Sequence, residues 1–151
     1  MAGELRQYDP LQVTGSWATS IGVFDIVDGA ISGGDFVSVE RDNPTWARES
    51  DRGGNAVRVK NNNKGGTVAV TLSASSPTNA VLSSAQAIDE LTENVVGLLT
   101  LKDLNGDTVV EAVGAFLTQT PPPSFGSERG SRTWVWEAAQ IVSFLGGHDL
   151  A

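Results

Sequence analysis

Residues 65–91 read GGTVAVTLSASSPTNAVLSSAQAIDEL, and the period of their apolar residues changes halfway. Val68, Val70 and Leu72 alternate with Thr67, Ala69 and Thr71, the pattern of a strand with one buried face. Ser76-Pro77 follows; serine suits a helix N-cap and proline the first helical position. Val81, Leu82, Ala85, Ile88 and Leu91 then recur at helical spacing. The stretch predicts a strand running into one helix over about residues 77–91. At the far end of that helix lie Asp89, Glu90 and Glu93, carboxylates that the helix dipole disfavours there. A solvated helix end accounts for them, and so does a basic partner.

Outward from this stretch, period two dominates. Val37 and Val39 alternate with Ser38 and Glu40, and Val57 and Val59 with Arg58 and Lys60. Further strands are expected at 13–17, 21–27, 95–102, 108–117 and 132–145. Asn105-Gly106 reads as a tight hairpin turn between two of them. Paired glycines (Gly33-Gly34, Gly53-Gly54, Gly65-Gly66, Gly146-Gly147) punctuate the strands. Pro121-Pro122-Pro123 marks an extended loop before the last strand. The result is mainly β with one flanking helix. No linker divides the 151 residues, so a single domain over 1–151 is expected, with an N-terminal arm (1–10), a protruding hairpin (42–64) and a C-terminal tail (147–151).

Composition excludes several chemistries. With no cysteine, disulfides, thiolate catalysis and Cys-ligated zinc are out, and folding in a reducing cytoplasm is the simple expectation. No apolar run reaches 18 residues, and Met1–Arg6 does not open like a signal peptide. The formal charge is −8; such a chain repels phosphates, since nucleic-acid affinity comes mainly from Lys and Arg. Asp103-x-Asn105-x-Asp107 resembles the start of a calcium loop. Thr108 stands where that loop needs Gly, however, and Gly114 where it needs Glu. His148, the sole histidine, sits near the C-terminus and reads as solvated. Neither a G-x-S-x-G nor a P-loop is present. No catalytic residue, metal ligand or cofactor is therefore nominated, and an enzyme is not expected. Of the four tryptophans, Trp17, Trp134 and Trp136 read as core, while Trp46 stands in a polar hairpin and fits an interface anchor.

The order of segments resembles the tail tube proteins of contractile-tailed bacteriophages, of the kind found in Pseudomonas myoviruses. Tyr8-Asp9-Pro10, Asp28–Asp42, Gly65–Glu90, Leu101–Gly106 and Phe144–Gly147 carry the resemblance; Ser75–Glu90 (SSPTNAVLSSAQAIDE) is its most specific part. The resemblance implies an antiparallel β-sandwich or partial barrel with one flanking helix, completing a β-barrel tube on oligomerisation. It implies hexameric rings stacked inside a contractile sheath, in a virion tail assembled in the host cytoplasm. The implied partners are further copies of the chain, the sheath, tape-measure, baseplate hub and tail terminator proteins, and genomic DNA in transit without specific binding. No membrane is implied. Two alternatives stay open: a tube subunit of a toxin-delivery or secretion machine, and a β-sandwich that decorates a virion or binds glycan.

Two sets of residues are expected to act in assembly. A wall facing sliding DNA should be small, polar and free of a Lys/Arg ladder, because each phosphate contact adds friction. Ser38, Glu40 and Asp42 on one strand and Thr67, Thr71 and Ser73 on another qualify as lumen-lining candidates. The hairpin over 42–64 carries Arg48, Glu49, Asp51, Arg52, Arg58 and Lys60, mixed charges that suit contact between copies, with Trp46 as anchor. These are the ring-stacking candidates. Both termini are expected at subunit contacts, because such short arms stay disordered unless docked.

Overall fold

The computed structural model describes residues 3–31 and 34–150. Gly33 of the Gly33-Gly34 pair, the first two residues of the arm and Ala151 of the tail lie outside these. Ten strands and one helix follow in order: β1 Val13–Thr19, β2 Gly22–Asp25, β3 Val37–Arg41, β4 Trp46–Ser50, β5 Ala56–Lys60, β6 Gly66–Ser73, α1 Thr78–Thr92, β7 Gly97–Asp103, β8 Val109–Leu117, β9 Ser131–Ala138 and β10 Gln140–Phe144. A short 3-10 turn, Pro10–Gln12, precedes β1.

Eight strands form one antiparallel sheet in the order β2-β1-β7-β8-β9-β6-β3, with β10 also on β8. The sheet becomes two layers because β8 changes partners. Its residues up to Val113 pair with β10 and those up to Ala115 with β7, whereas Phe116 and Leu117 pair with β9. Strands that switch sheets make the corners of such sandwiches. Gly114 sits at this corner with φ +68°, a conformation that glycine adopts without strain. Opposite it the chain breaks again at Ala139, whose N–H donates to Val113 O at 3.0 Å. The single strand expected over 132–145 is therefore two strands on two layers. Period-two alternation persists through both and hides the corner.

The core lies between the layers. Trp17, Trp134 and Trp136 are essentially unexposed, and Trp17 meets Trp136 edge-on at 5.8 Å. Val68, Val70, Leu72, Leu99, Ala112 and Ile141 fill the space around them. The indole N–H of Trp17 donates to Ala115 O at 3.2 Å, and that of Trp134 to Asn79 Oδ1 at 2.9 Å.

The helix starts at Thr78, one residue later than expected, with Pro77 rather than Ser76 at its N-cap, although Ser76 Oγ still accepts from Thr78 N–H. Leu82 and Ala85 face the core as expected, but the rest of the expected face does not. Thr78, Asn79, Leu82, Ala85 and Gln86 are buried, while Val81, Ile88 and Leu91 are exposed at 42%, 38% and 87%. Polar anchoring sets this rotation. Thr78 Oγ1 donates to Asp28 O at 3.0 Å, and Asn79 Nδ2 to Ser73 O at 2.9 Å, so the first turn turns its polar side inward. At the other end Asp89 Oδ1 accepts from Val95 N–H at 3.1 Å. That carboxylate holds the chain reversal after Glu93, which lies in the left-handed region at φ 60°.

Candidate assembly surfaces

β3 and β6 send their valines and Leu72 inward and β9 sends Trp134 and Trp136, so the intervening residues make up the opposite face of that layer. The register arranges them in rows: Glu40–Thr67–Glu137, then Ser38–Ala69–Val135, then Thr71–Thr133, then Ser73–Ser131. Thr71 and Thr133 join hydroxyls at 3.1 Å. Five of the six lumen candidates thus share one face. Asp42 follows the end of β3, with its N–H on Gly65 O at 3.1 Å. The face holds two carboxylates and no Lys or Arg, with Phe116 at its margin beside Glu137. Glu40 and Glu137 stand two strands apart, about 10 Å. Sequence reasoning missed the contribution of β9. The signal was available, because Ser131, Thr133, Val135 and Glu137 alternate with the two buried tryptophans.

Five of the seven ring-stacking candidates occupy β4 and β5, a separate two-stranded sheet that is exposed at every position. Pairing sorts its charges. Trp46 lies opposite Lys60 and Arg48 opposite Arg58, on one face; Ala47 lies opposite Val59 and Glu49 opposite Val57, on the other. One face is therefore basic and aromatic, the other apolar with a single carboxylate. Arg58 places its guanidinium 3.7 Å from the centre of the Trp46 ring. Asp51 and Arg52 are in the turn. There Asp51 accepts from the side chain and backbone N–H of Asn55 at 3.0 and 2.8 Å. These hydrogen bonds, the side-chain one foremost, hold its carboxyl below the usual value of 3.8. The hairpin's base is tied down: Arg41 Nε donates to Ile141 O at 3.0 Å and Ile141 N–H to Lys64 O at 2.8 Å.

The termini meet each other on their own subunit. Gln7 N–H donates to Asp149 O, Tyr8 stacks on His148 at 4.9 Å, and His148 Nε2 lies 3.3 Å from Asp103 Oδ2. Asn105 is buried here, accepting from Asp9 N–H and donating to Asp9 O. His148 is thus partnered rather than merely solvated. Asp103 Oδ1 is occupied too, by the backbone and side-chain N–H groups of Asn105, so the calcium-like spacing serves a turn. That turn is wider than expected, closing from Asp103 N–H to Thr108 O. Gly106 is glycine because the C-terminal tail crosses it: an added Cβ would stand 1.9 Å from Gly147 O. Among the described residues no group of three or more His, Cys, Asp or Glu converges to hold a metal ion, and no helix is long and apolar enough to cross a membrane.

Comparison with known proteins adds the following. The family model of the bacteriophage PhiTE tail tube protein matches residues 5–146. No curated protein matches the chain. Among solved structures, it superposes on a chain of the anti-feeding prophage tube-terminating cap with a TM-score of 0.61 at 8% identity, covering 97% of this chain and 96% of that one. A chain of the extended PVC sheath-tube complex, an extracellular contractile injection system, gives 0.58 at 13% identity, with 91% of each chain covered. The sheath/tube terminator of that system gives 0.57 at 14%, covering 92% and 97%. At such identities the likeness is one of fold.

Proposed function

Since this chain belongs to the bacteriophage PhiTE tail tube protein family, we propose that it is the repeating subunit of a tail tube through which a genome is ejected. Six copies close into a ring, and rings stack inside a contractile sheath. The tape-measure protein occupies the lumen first. A baseplate hub and a tail terminator finish the two ends, and the tail is built in the host cytoplasm and carried on the virion. The face of β3, β6 and β9 lines the lumen. The observation that carries this reading is that face's chemistry: hydroxyls, small side chains and the carboxylates of Glu40 and Glu137, with no basic residue. A duplex sliding past it meets repulsion and no phosphate ligand. Ring closure also explains why the edge strands β2 and β3 are left unpaired in one subunit, since a free edge needs a partner or a cover.

The same fold serves injection machines, and the acidic wall favours DNA as cargo over them. A glycan-binding module would need an open aromatic platform, and one face of Trp46 is already occupied by Arg58. The test is a phage whose tube subunit carries Glu40→Lys with Glu137→Lys. Tubes should still assemble, and ejection should slow, with the defect eased at high salt. Normal ejection from normal tubes would remove these residues from the lumen.

A further inference from the structure

A groove of about 810 Å³ opens between the N-terminal segment and the crossover from β2 to β3. Tyr8, Leu11, Val27, Ile31 and Phe36 give it an apolar lining, and the carboxylates of Asp25, Asp28 and Asp35 rim it with no Lys or Arg among them. Its position in the fold is fixed by backbone pairing. Thr71 N–H donates to Phe36 O at 2.8 Å and Ser73 N–H to Gly29 O at 2.9 Å, so the groove lies at the Ser73 end of β6. The β4–β5 hairpin leaves from the other end, where Arg41 pairs with Gly66. The seven residue steps of β6 put these poles about 23 Å apart.

The hairpin has the chemistry the groove lacks. Its face with Trp46 bears Arg48, Arg58 and Lys60, and none of these pairs with a carboxylate among the described residues. Arg48 and Arg58 face each other directly across the strands, an arrangement that destabilises a hairpin left alone. Two-stranded hairpins in water are marginal in any case. A basic aromatic knob at one pole and an acidic apolar groove at the other define a heterologous contact, the kind that propagates an open stack.

We infer that the Trp46–Lys60 hairpin of one copy seats its basic face in the Tyr8–Phe36 groove of a copy in the next ring. This rests on the tube reading above and names the receiving surface. The three cations of the knob meet the three carboxylates of the groove, and Trp46 meets the apolar floor. Because knob and groove lie at opposite poles, no subunit fills its own groove, and each ring offers the next an unsatisfied set.

The absence of cysteine makes a clean test possible. Chains carrying only Ser50→Cys, on the basic face near the hairpin tip, are mixed with chains carrying only Leu11→Cys, assembled into tubes and treated with a short bismaleimide. Cross-linked dimers should form in tubes, and neither variant alone should yield them. In parallel, Arg48→Glu or Asp28→Lys alone should raise the critical concentration for elongation about tenfold or more, and the two together should restore it. Asp25 is left intact because its carboxylate accepts from Val27 and Asp28 N–H. Tubes that form without cross-links, and a charge pair that shows no rescue, would overturn the seating and leave the tube reading standing. Failure of the wild-type chain to form tubes would remove both.

Discussion

Asn79 holds three groups at once. Its Nδ2 donates to Ser73 O and Ser76 O, and its Oδ1 accepts from the Trp134 indole N–H. The residue is buried at the joint between β6, α1 and β9, so Asn79→Ala leaves the Trp134 indole donor without a partner and takes one of two donors from each of Ser73 O and Ser76 O. We expect a loss of about 2–3 kcal/mol, seen as a fall in Tm of roughly 5–10 °C; a change below 1 °C would show that the joint tolerates the loss. Asp51 gives a pH prediction. Its folded pKa is lowered, so its contribution to the turn is complete above the ordinary value and fades as pH falls through the lower folded value. Protection of the Asn55 amide from hydrogen exchange should therefore weaken only on the acid side of pH 3.8, and Asp51→Asn should remove that dependence. Residue types carried much of this. Core packing was the favoured reading of the strand tryptophans, and the one among Arg and Asn residues fitted a core poorly; Trp17, Trp134 and Trp136 are indeed buried and Trp46 is exposed. The inward turn of Thr78 and Asn79 was not legible, because their partners, Asp28 O and Ser73 O, are backbone groups that no side-chain pattern reports.

At the scale of elements, the β4–β5 hairpin is an exposed projection, and the stacking role proposed above gives its order a use beyond its own fold. It contributes nothing to the buried core, and its anchors, Arg41 and Ile141, lie outside it. Replacing Asp51–Gly54 with a short Gly-Ser turn should leave the Tm of the isolated subunit within about 1 °C, as surface changes do, while elongation measured by light scattering stops. Normal tubes from this variant would mean that stacking lies elsewhere. The arm behaves differently. Since Tyr8 stacks on His148 and Gln7 bonds Asp149 within one subunit, deleting Met1–Tyr8 should lower subunit Tm as well as assembly. Most strands and the helix were legible from period, with β4 read only from the composition of the 42–64 hairpin and the break at Ala139 missed. A corner between layers leaves inward and outward alternation intact on both sides, and Gly114, its one local signal, stood inside a good strand pattern. The charges of the hairpin were legible as a mixture; only register could separate Arg48, Arg58 and Lys60 from Glu49.

For the whole molecule, the two layers present different outer faces. The β3–β6–β9 layer shows hydroxyls and carboxylates. The β1–β2–β7–β8 layer shows exposed Val23 and Leu98 in one row across the strands, both flanking Ala18, and exposed Val113 on β8. An acidic polar face and an apolar row on the other layer suit the proposed subunit, which would meet solvent and DNA on one side and protein on the other. In the assembly proposed above, lateral closure pairs the edges, and the polar knob and groove continue the stack. The most direct measurement of this account is a helical reconstruction by cryo-electron microscopy of tubes grown from the purified chain. It should show hollow stacked rings with Glu40, Thr67, Thr71, Thr133 and Glu137 facing the lumen. Rings with Val23, Leu98 and Val113 facing the lumen, or a chain that stays monomeric at high concentration, would contradict it.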